Sequence, residues 1–176
     1  KHGYFNIIKK MKRVTYDKDI ISKLAADGNL EAIKWLYKNN VKELSFKNSM
    51  NYATANGHLE VVKWLHENTS EQCTVDAMNW AAQYGHLEVV KWLHENRTEG
   101  CTTDAMDCAA MNGHLDVIKF LHYNRSEGCT TYAMDRAAKY GRLEIVKWLH
   151  ENRTEGCTTN AMDRAAENGY LEVVRW

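Results

Sequence analysis

No proline occurs anywhere in the 176 residues. Nothing therefore forces a kink or a helix stop, and with strand-like alternation also scarce the chain reads as all-α. No apolar run approaches the roughly 18 residues that a spanning helix needs. The start lacks the pattern of a secretory signal. The expectation is an intracellular, cytoplasmic chain with no membrane association. Net charge is also lacking: 23 Lys and Arg balance 23 Asp and Glu. Such a balance supplies no strong field, so no nucleic-acid partner is expected. The balance is uneven along the chain. Residues 1–18 hold six basic residues against Asp17, which leaves 17 of the 23 basic and 22 of the 23 acidic residues to the rest. Metal-ligand spacings such as C-x2-C or H-x3-H are missing. No nucleophile–base–orienter set and no Gly-rich phosphate loop stands out. The chain is thus expected to have no catalytic residues, metal or cofactor, and nothing in it calls for a small-molecule ligand.

What the chain does have is a period. The stretch Gly85–Thr102, GHLEVVKWLHENRTEGCT, recurs almost verbatim from Gly57, Gly113 and Gly141 and begins again at Gly169, with 28 residues between successive glycines. A fixed period of this size marks a repeat array rather than one compact core. Looser copies start at Gly28 and Gly3. Leu171, Val173, Val174 and Trp176 look like every internal copy, with no cap, whereas terminal repeats of a solenoid normally carry a polar outer face. The expectation is one array over 1–176, excerpted from a longer one, with both ends cutting through a repeat.

Within a period, Leu59, Val61, Val62, Trp64 and Leu65 cover well over half of a helix at about 100° per residue. Glu60, Lys63 and Glu67 share the remaining arc. A single stripe suffices for a surface helix, so this one has neighbours on several sides. Lys63 can pair with Glu60 or Glu67. The helix is expected to end at Asn68, Asn96, Asn124 and Asn152, each taking a left-handed cap conformation. A short polar loop follows. Thr102, Thr130 and Thr158, or the residue after each, suit an N-cap. A second, shorter helix runs over 104–112, 132–140 and 160–168. Its Ala pair admits a close neighbour, and the next Gly ends it.

Other recurring residues read as framework. Cys73, Cys101, Cys129 and Cys157 occupy one position per repeat. Layers about 8–10 Å apart exceed disulfide reach, so these thiols read as small buried groups in a reducing compartment. The two histidine ladders, His58–His86–His114 and His66–His94–His122–His150, are too widely spaced to share a metal. The first is expected to help the turn after Gly. Trp35, Trp64, Trp92, Phe120, Trp148 and Trp176 read as packing between layers. Asp107, Asp135 and Asp163 read as residues favoured near a helix start. The sequons at Asn68, Asn96, Asn124 and Asn152 read as helix ends. Lys9–Arg13 reads as a solvated helix face, with a nuclear-localisation or acidic-partner patch as the alternative, and nucleic-acid binding through the basic start is a weaker hypothesis.

AAQYGHLEVVKWL at 81–93 and AAMNGHLDVIKFL at 109–121 resemble the A-A-x-x-G-H-x-E-V-V-K-L-L core of ankyrin repeats. The resemblance implies a helical solenoid whose short helices line a concave side and bind protein. Two features depart from the family. Its T-P-L-H opening is replaced by D-A-M-N, D-A-M-D, Y-A-M-D and N-A-M-D, and its period of about 33 residues is shortened to 28. The deficit falls in the loop near 96–103, so tight turns are expected in place of the family's β-hairpin fingers.

Framework positions barely vary between copies, and three positions before each Gly do. Five before, the chain reads Lys23, Tyr52, Trp80, Cys108, Arg136 and Arg164. Two before, it reads Ala26, Ala55, Gln83, Met111, Lys139 and Glu167. One before, it reads Asp27, Asn56, Tyr84, Asn112, Tyr140 and Asn168. Tyr, Trp and Arg are types that anchor interfaces. The candidate partner-binding residues are Tyr52, Trp80, Gln83, Tyr84, Met111, Arg136, Lys139, Tyr140, Arg164 and Glu167. Unconstrained solvent positions would vary in the same way. The function that follows is a protein-binding scaffold with an unidentified protein partner. The alternative is a targeting arm of a larger enzyme or adaptor whose active domain lies outside this chain.

Overall fold

The computed structural model describes residues 19–39, 41, 44–70 and 73–176. The Gly3 copy and the Lys9–Arg13 patch lie outside the described residues. Twelve helices and no strand occur among the described residues. They are α1 (Ile20–Ala26), α2 (Leu30–Lys38), α3 (Ser49–Ala55), α4 (Leu59–Asn68), α5 (Val75–Gln83) and α6 (Leu87–Asn96), then α7 (Thr103–Asn112), α8 (Leu115–Asn124), α9 (Thr131–Lys139), α10 (Leu143–Asn152), α11 (Thr159–Glu167) and α12 (Leu171–Arg175). Odd and even helices alternate as the first and second helix of each layer. Among the described residues no β-hairpin finger forms in the shortened loops.

Each first helix packs closely on the first helix of the next layer, and second helices approach one another less. Side-chain size explains the difference. The facing Ala81, Ala82, Ala109, Ala110, Ala137 and Ala138 are fully or almost fully buried, and Ala lets backbones approach. Second helices are held apart by Val, Leu and Trp. The stack therefore curves toward the first helices, which form its concave side. Between the two rows runs one continuous core, with Val62, Leu65, Val90, Leu93, Ile118, Leu121 and Leu149 nearly inaccessible.

Burial comes from the neighbouring layer. Met78, Met106 and Met134 are buried, whereas the equivalent Met162 in the last described layer is 64% exposed. Cys73, Cys101 and Cys129 are buried and reduced. Each lies beside the Arg–Glu pair of the following loop, Arg97–Glu99, Arg125–Glu127 and Arg153–Glu155 respectively. Burial pushes these three thiols up to about 11, so they are inert at neutral pH. Cys157 departs from the expectation: it is exposed, because no following loop covers it.

The second helices end differently from the reading above. Asn68, Asn96, Asn124 and Asn152 are the last helical residues, and the capping residue after each is extended rather than left-handed. The asparagines act through their side chains. Each Nδ2 donates to the carbonyl four residues back, on Trp64, Trp92, Phe120 and Trp148, at 2.8–2.9 Å. A last-turn carbonyl is thereby satisfied without any backbone strain. Lys63 pairs with Glu60 at 2.9 Å, and Lys91–Glu88 and Lys147–Glu144 repeat the pairing.

The aspartate ladder also departs from its reading. Asp107 and Asp135 sit mid-helix and are buried. They reach across the layer boundary. Asp107 Oδ1 accepts from the Thr130 backbone N–H at 2.8 Å, and its Oδ2 accepts from the Thr130 hydroxyl at 2.6 Å. Asp135 holds Thr158 in the same way. Earlier in the chain Asn51 and Asn79 replace the carboxylate. Each accepts from the backbone N–H of Thr74 or Thr102 and donates through Nδ2 to the threonine hydroxyl oxygen. In those two layers the hydroxyl proton goes instead to Asp76 or Asp104. Where the clamp is Asp, the residue two past Thr is Tyr132 or Asn160. Each threonine hydroxyl thus meets one carboxylate. Asp163 is exposed, with no layer packed against it.

Candidate protein-binding face

The first helices α5, α7, α9 and α11 each begin at a threonine whose hydroxyl accepts the backbone N–H two residues on, at Asp76, Asp104, Tyr132 and Asn160, whereas α1 and α3 start at Asp19 and Asn48 without a side-chain cap. The threonine cap fixes where those four helices start. The Ala pair then fixes which side packs, so the residues five, two and one before each Gly fall on the opposite, concave side.

The turn after each first helix is also locked. Gly57 and Gly85 have φ of 74° and 77°, which an L side chain adopts at a cost. Space imposes a second constraint. A Cβ on Gly57 would lie 2.6 Å from His86 Nδ1, and one on Gly85 would lie 2.4 Å from His114 Nδ1. His86 Nε2 lies 3.0 Å from the Ala55 carbonyl of the layer before. The histidine thus packs on the previous layer's glycine and ties the two turns together. Burial holds His86 below the usual histidine range, against the upward pull of the Ala55 carbonyl, and His114 and His58 lower it further. On the other side of the stack the second histidine ladder and the tryptophan ladder form one structure. His66, His94, His122 and His150 stand edge-on to Trp92, Phe120, Trp148 and Trp176 of the next layer, at centroid distances of 5.1–5.6 Å.

The candidate residues group in three places along the concave side. Tyr52, Trp80 and Tyr84 line an open groove of about 650 Å³, with Ala55, Asn56 and His86. The Tyr52 and Trp80 rings are 6.4 Å apart and inclined by 35°, and Tyr84 is 54% exposed. Toward the N-terminus the groove continues past Tyr52 into a second hollow beside Ser22, Lys23 and Ser45. Arg136 Nη1 lies 3.8 Å from the Met111 sulfur, and its guanidinium sits 5.4 Å from the Tyr132 ring centroid. Lys139 lies 5.3 Å from the Tyr140 ring centroid. Arg164 and Glu167 pair with each other at 2.6 Å. Gln83 is half-buried on the same helix as Trp80. The ten residues share one side of the stack without forming one pocket.

Sequence reasoning missed Tyr132 and gave His86 only its turn role. The signal for Tyr132 was present: nine before each Gly the chain reads Asp76, Asp104, Tyr132 and Asn160. His86 lines the groove because the turn histidine lies at the edge of the concave side, which no spacing reveals.

Among the described residues no group of three or more His, Cys, Asp or Glu is placed to hold a metal. No helix among them is long and apolar enough to cross a membrane.

Stacked helix pairs with a closely packed inner row define a helical-repeat solenoid. The family model of ankyrin repeats matches three times, over residues 21–107, 50–131 and 106–176. The chain belongs to the ankyrin-repeat family. Among solved structures it is similar to the human ASB11 ankyrin repeat domain, with a TM-score of 0.67 and 22% identity over 89% of this chain and 80% of that one. At that identity the likeness concerns the fold. No curated protein sequence matches the chain. Ankyrin repeats are generally protein-interaction modules, typically without catalysis, and the coarse role of a protein-binding module follows from membership.

Proposed function

We propose that the array is a scaffold module whose concave side holds one extended segment of a partner protein. The observation that supports this is the separation of variable from repeated residues. Repeated residues are spent on layer contacts: the Ala pairs, the Thr clamp and the Gly–His turn. Those that differ between copies line up, exposed or half-buried, along the first helices. Tyr52, Tyr84 and Tyr140 are 41–54% exposed there, and exposed aromatics beside arginine are common anchors. Trp80, Tyr84, Arg136, Tyr140 and Arg164 are the central anchors of this reading. The test is capture of partners from the source cell with Trp80→Ala and Arg136→Ala, singly and together. The double variant is expected to lose affinity by about tenfold or more while its helical circular dichroism and melting stay close to the parent's. Unchanged affinity in a folded double variant removes this face from consideration.

A further inference from the structure

The concave side is chemically polarised along the stack. Its α3–α5 end is a neutral, ring-lined slot made by Tyr52, Trp80 and Tyr84. Two layers on, α9 and the turn after it present Arg136, Lys139 and Arg142. Arg142 follows Gly141 as His86 follows Gly85, so it stands at the same edge that His86 gives the slot. Several other cations are neutralised: Lys63, Lys91 and Lys147 pair with glutamates one turn back, Arg97, Arg125 and Arg153 with the glutamate of their own loop, and Arg164 with Glu167. Arg136, Lys139 and Arg142 form no ion pair with any described residue. Their contacts are with a thioether, two tyrosine rings and the space above Gly113. The carboxylate on their own helix, Asp135, is buried and spent on Thr158. Arg136 also feels the Asp107 carboxylate of the adjacent helix, but that group is buried and hydrogen-bonded to Thr130, so the three cations keep charge available to an incoming anion.

Resting on the reading that a partner segment lies along this face, we infer that the segment is acidic at one end and carries proline at the other. The slot is shallow and walled by aromatic rings. Such a surface takes a pre-extended proline segment, which loses little entropy on docking. A second copy of this chain cannot supply it, because the sequence contains no proline. Two layers at about 10 Å each correspond to roughly six residues at about 3.1 Å per residue. The partner therefore places a run of Asp or Glu about six residues from its prolines, and the cations meet that run while the rings hold the prolines.

Fluorescent peptides test this on the 176-residue chain. One series joins a Pro-rich stretch to a glutamate run about six residues away, in both orders, and a second series replaces the glutamates with lysines. At least one glutamate peptide is expected to bind about tenfold or more tightly than its lysine counterpart, with an affinity that falls as salt rises. Arg136→Glu with Lys139→Glu is expected to reverse the preference, so that the lysine peptide binds better. That gain guards against a variant that has merely unfolded. Trp80→Ala is expected to weaken parent peptides of either charge. Equal binding of glutamate and lysine peptides overturns the inference, as does tighter binding of a single-stranded oligouridylate. If captured partners depend on Trp80 and Arg136 while the peptides ignore charge, only this inference falls. If the captured partners are indifferent as well, the concave-face reading falls with it.

Discussion

The threonine that opens α5, α7, α9 and α11 ties its helix start to the layer before it. Its hydroxyl has one proton and two lone pairs. In the Thr102 layer the Asn79 amide and the Asp104 N–H fill the acceptor side, and Asp104 takes the proton. In the Thr130 and Thr158 layers the proton goes to Asp107 or Asp135. Two carboxylates around one hydroxyl leave one of them without a donor. Asn79→Asp creates that conflict at a buried residue and removes the amide's own donation. It is expected to destabilise the array by about 1–3 kcal/mol. Adding Asp104→Asn reproduces the Asp135–Thr158–Asn160 arrangement and is expected to restore most of the loss. Urea unfolding of the two single variants and the double variant gives the coupling energy. Additive losses mean that the alternation of Asn and Asp along the chain has no such cause.

The loop between repeats is held by charge rather than by strand pairing. Arg125 and Glu127 pair two residues apart, and Glu127 also accepts the Cys101 N–H of the preceding loop. Burial alone would raise the Glu127 carboxyl. The Arg125 bond and the backbone N–H groups of Glu127 and Cys101 outweigh it and hold the group down at about 2. A carboxylate with a lowered folded pKa contributes stability that is full above its ordinary value of 4.5 and disappears as the pH falls toward about 2. Glu127→Gln is therefore expected to cost about 1–2 kcal/mol at neutral pH, after screening at this partly exposed site. The difference from the parent should shrink steadily below about pH 4 in urea titrations. A difference that is independent of pH shows that the loss is one of packing. Helices and loops were legible in the sequence to different degrees. The periodic Val–Val–Leu set of α4 and α6, Val–Ile–Leu in α8, and the Thr caps placed the helices to within a few residues, because those signals are local. The Asp107–Thr130 clamp and the seating of His114 over Gly85 join residues in different layers, and no spacing within one repeat encodes them. Tyr52, Trp80 and Arg136 were identifiable as variable positions. Their division into a ring slot and an unpaired cation cluster depends on which carboxylates are already engaged, which only the packed structure settles.

Across the whole molecule, stability is a sum of repeat and neighbour contributions. Met78 and Met106 are each 2% exposed and Met134 5%, against 64% for Met162. Asp163 lacks the threonine that Asp107 and Asp135 hold, and Cys157 lacks the Arg–Glu pair that covers Cys129. Each absence removes one neighbour contribution from the α11–α12 layer, while the α5–α8 layers have their contacts on both sides. Opening of α11 and α12 then exposes little surface that is not already exposed, whereas opening of α7 disrupts two layer boundaries. Native-state hydrogen exchange is the measurement that separates these. In the isolated 176-residue chain, amide protection is expected to peak in α5–α8 and to fall through α9–α10 to its lowest in α11–α12, with an end-to-middle difference of about 2 kcal/mol or more in opening free energy. The Thr158 amide, held by buried Asp135, is expected to outlast its neighbours in that last layer. Uniform protection from α5 to α12 would mean that the array opens as one unit, and the nearest-neighbour account would have to be abandoned.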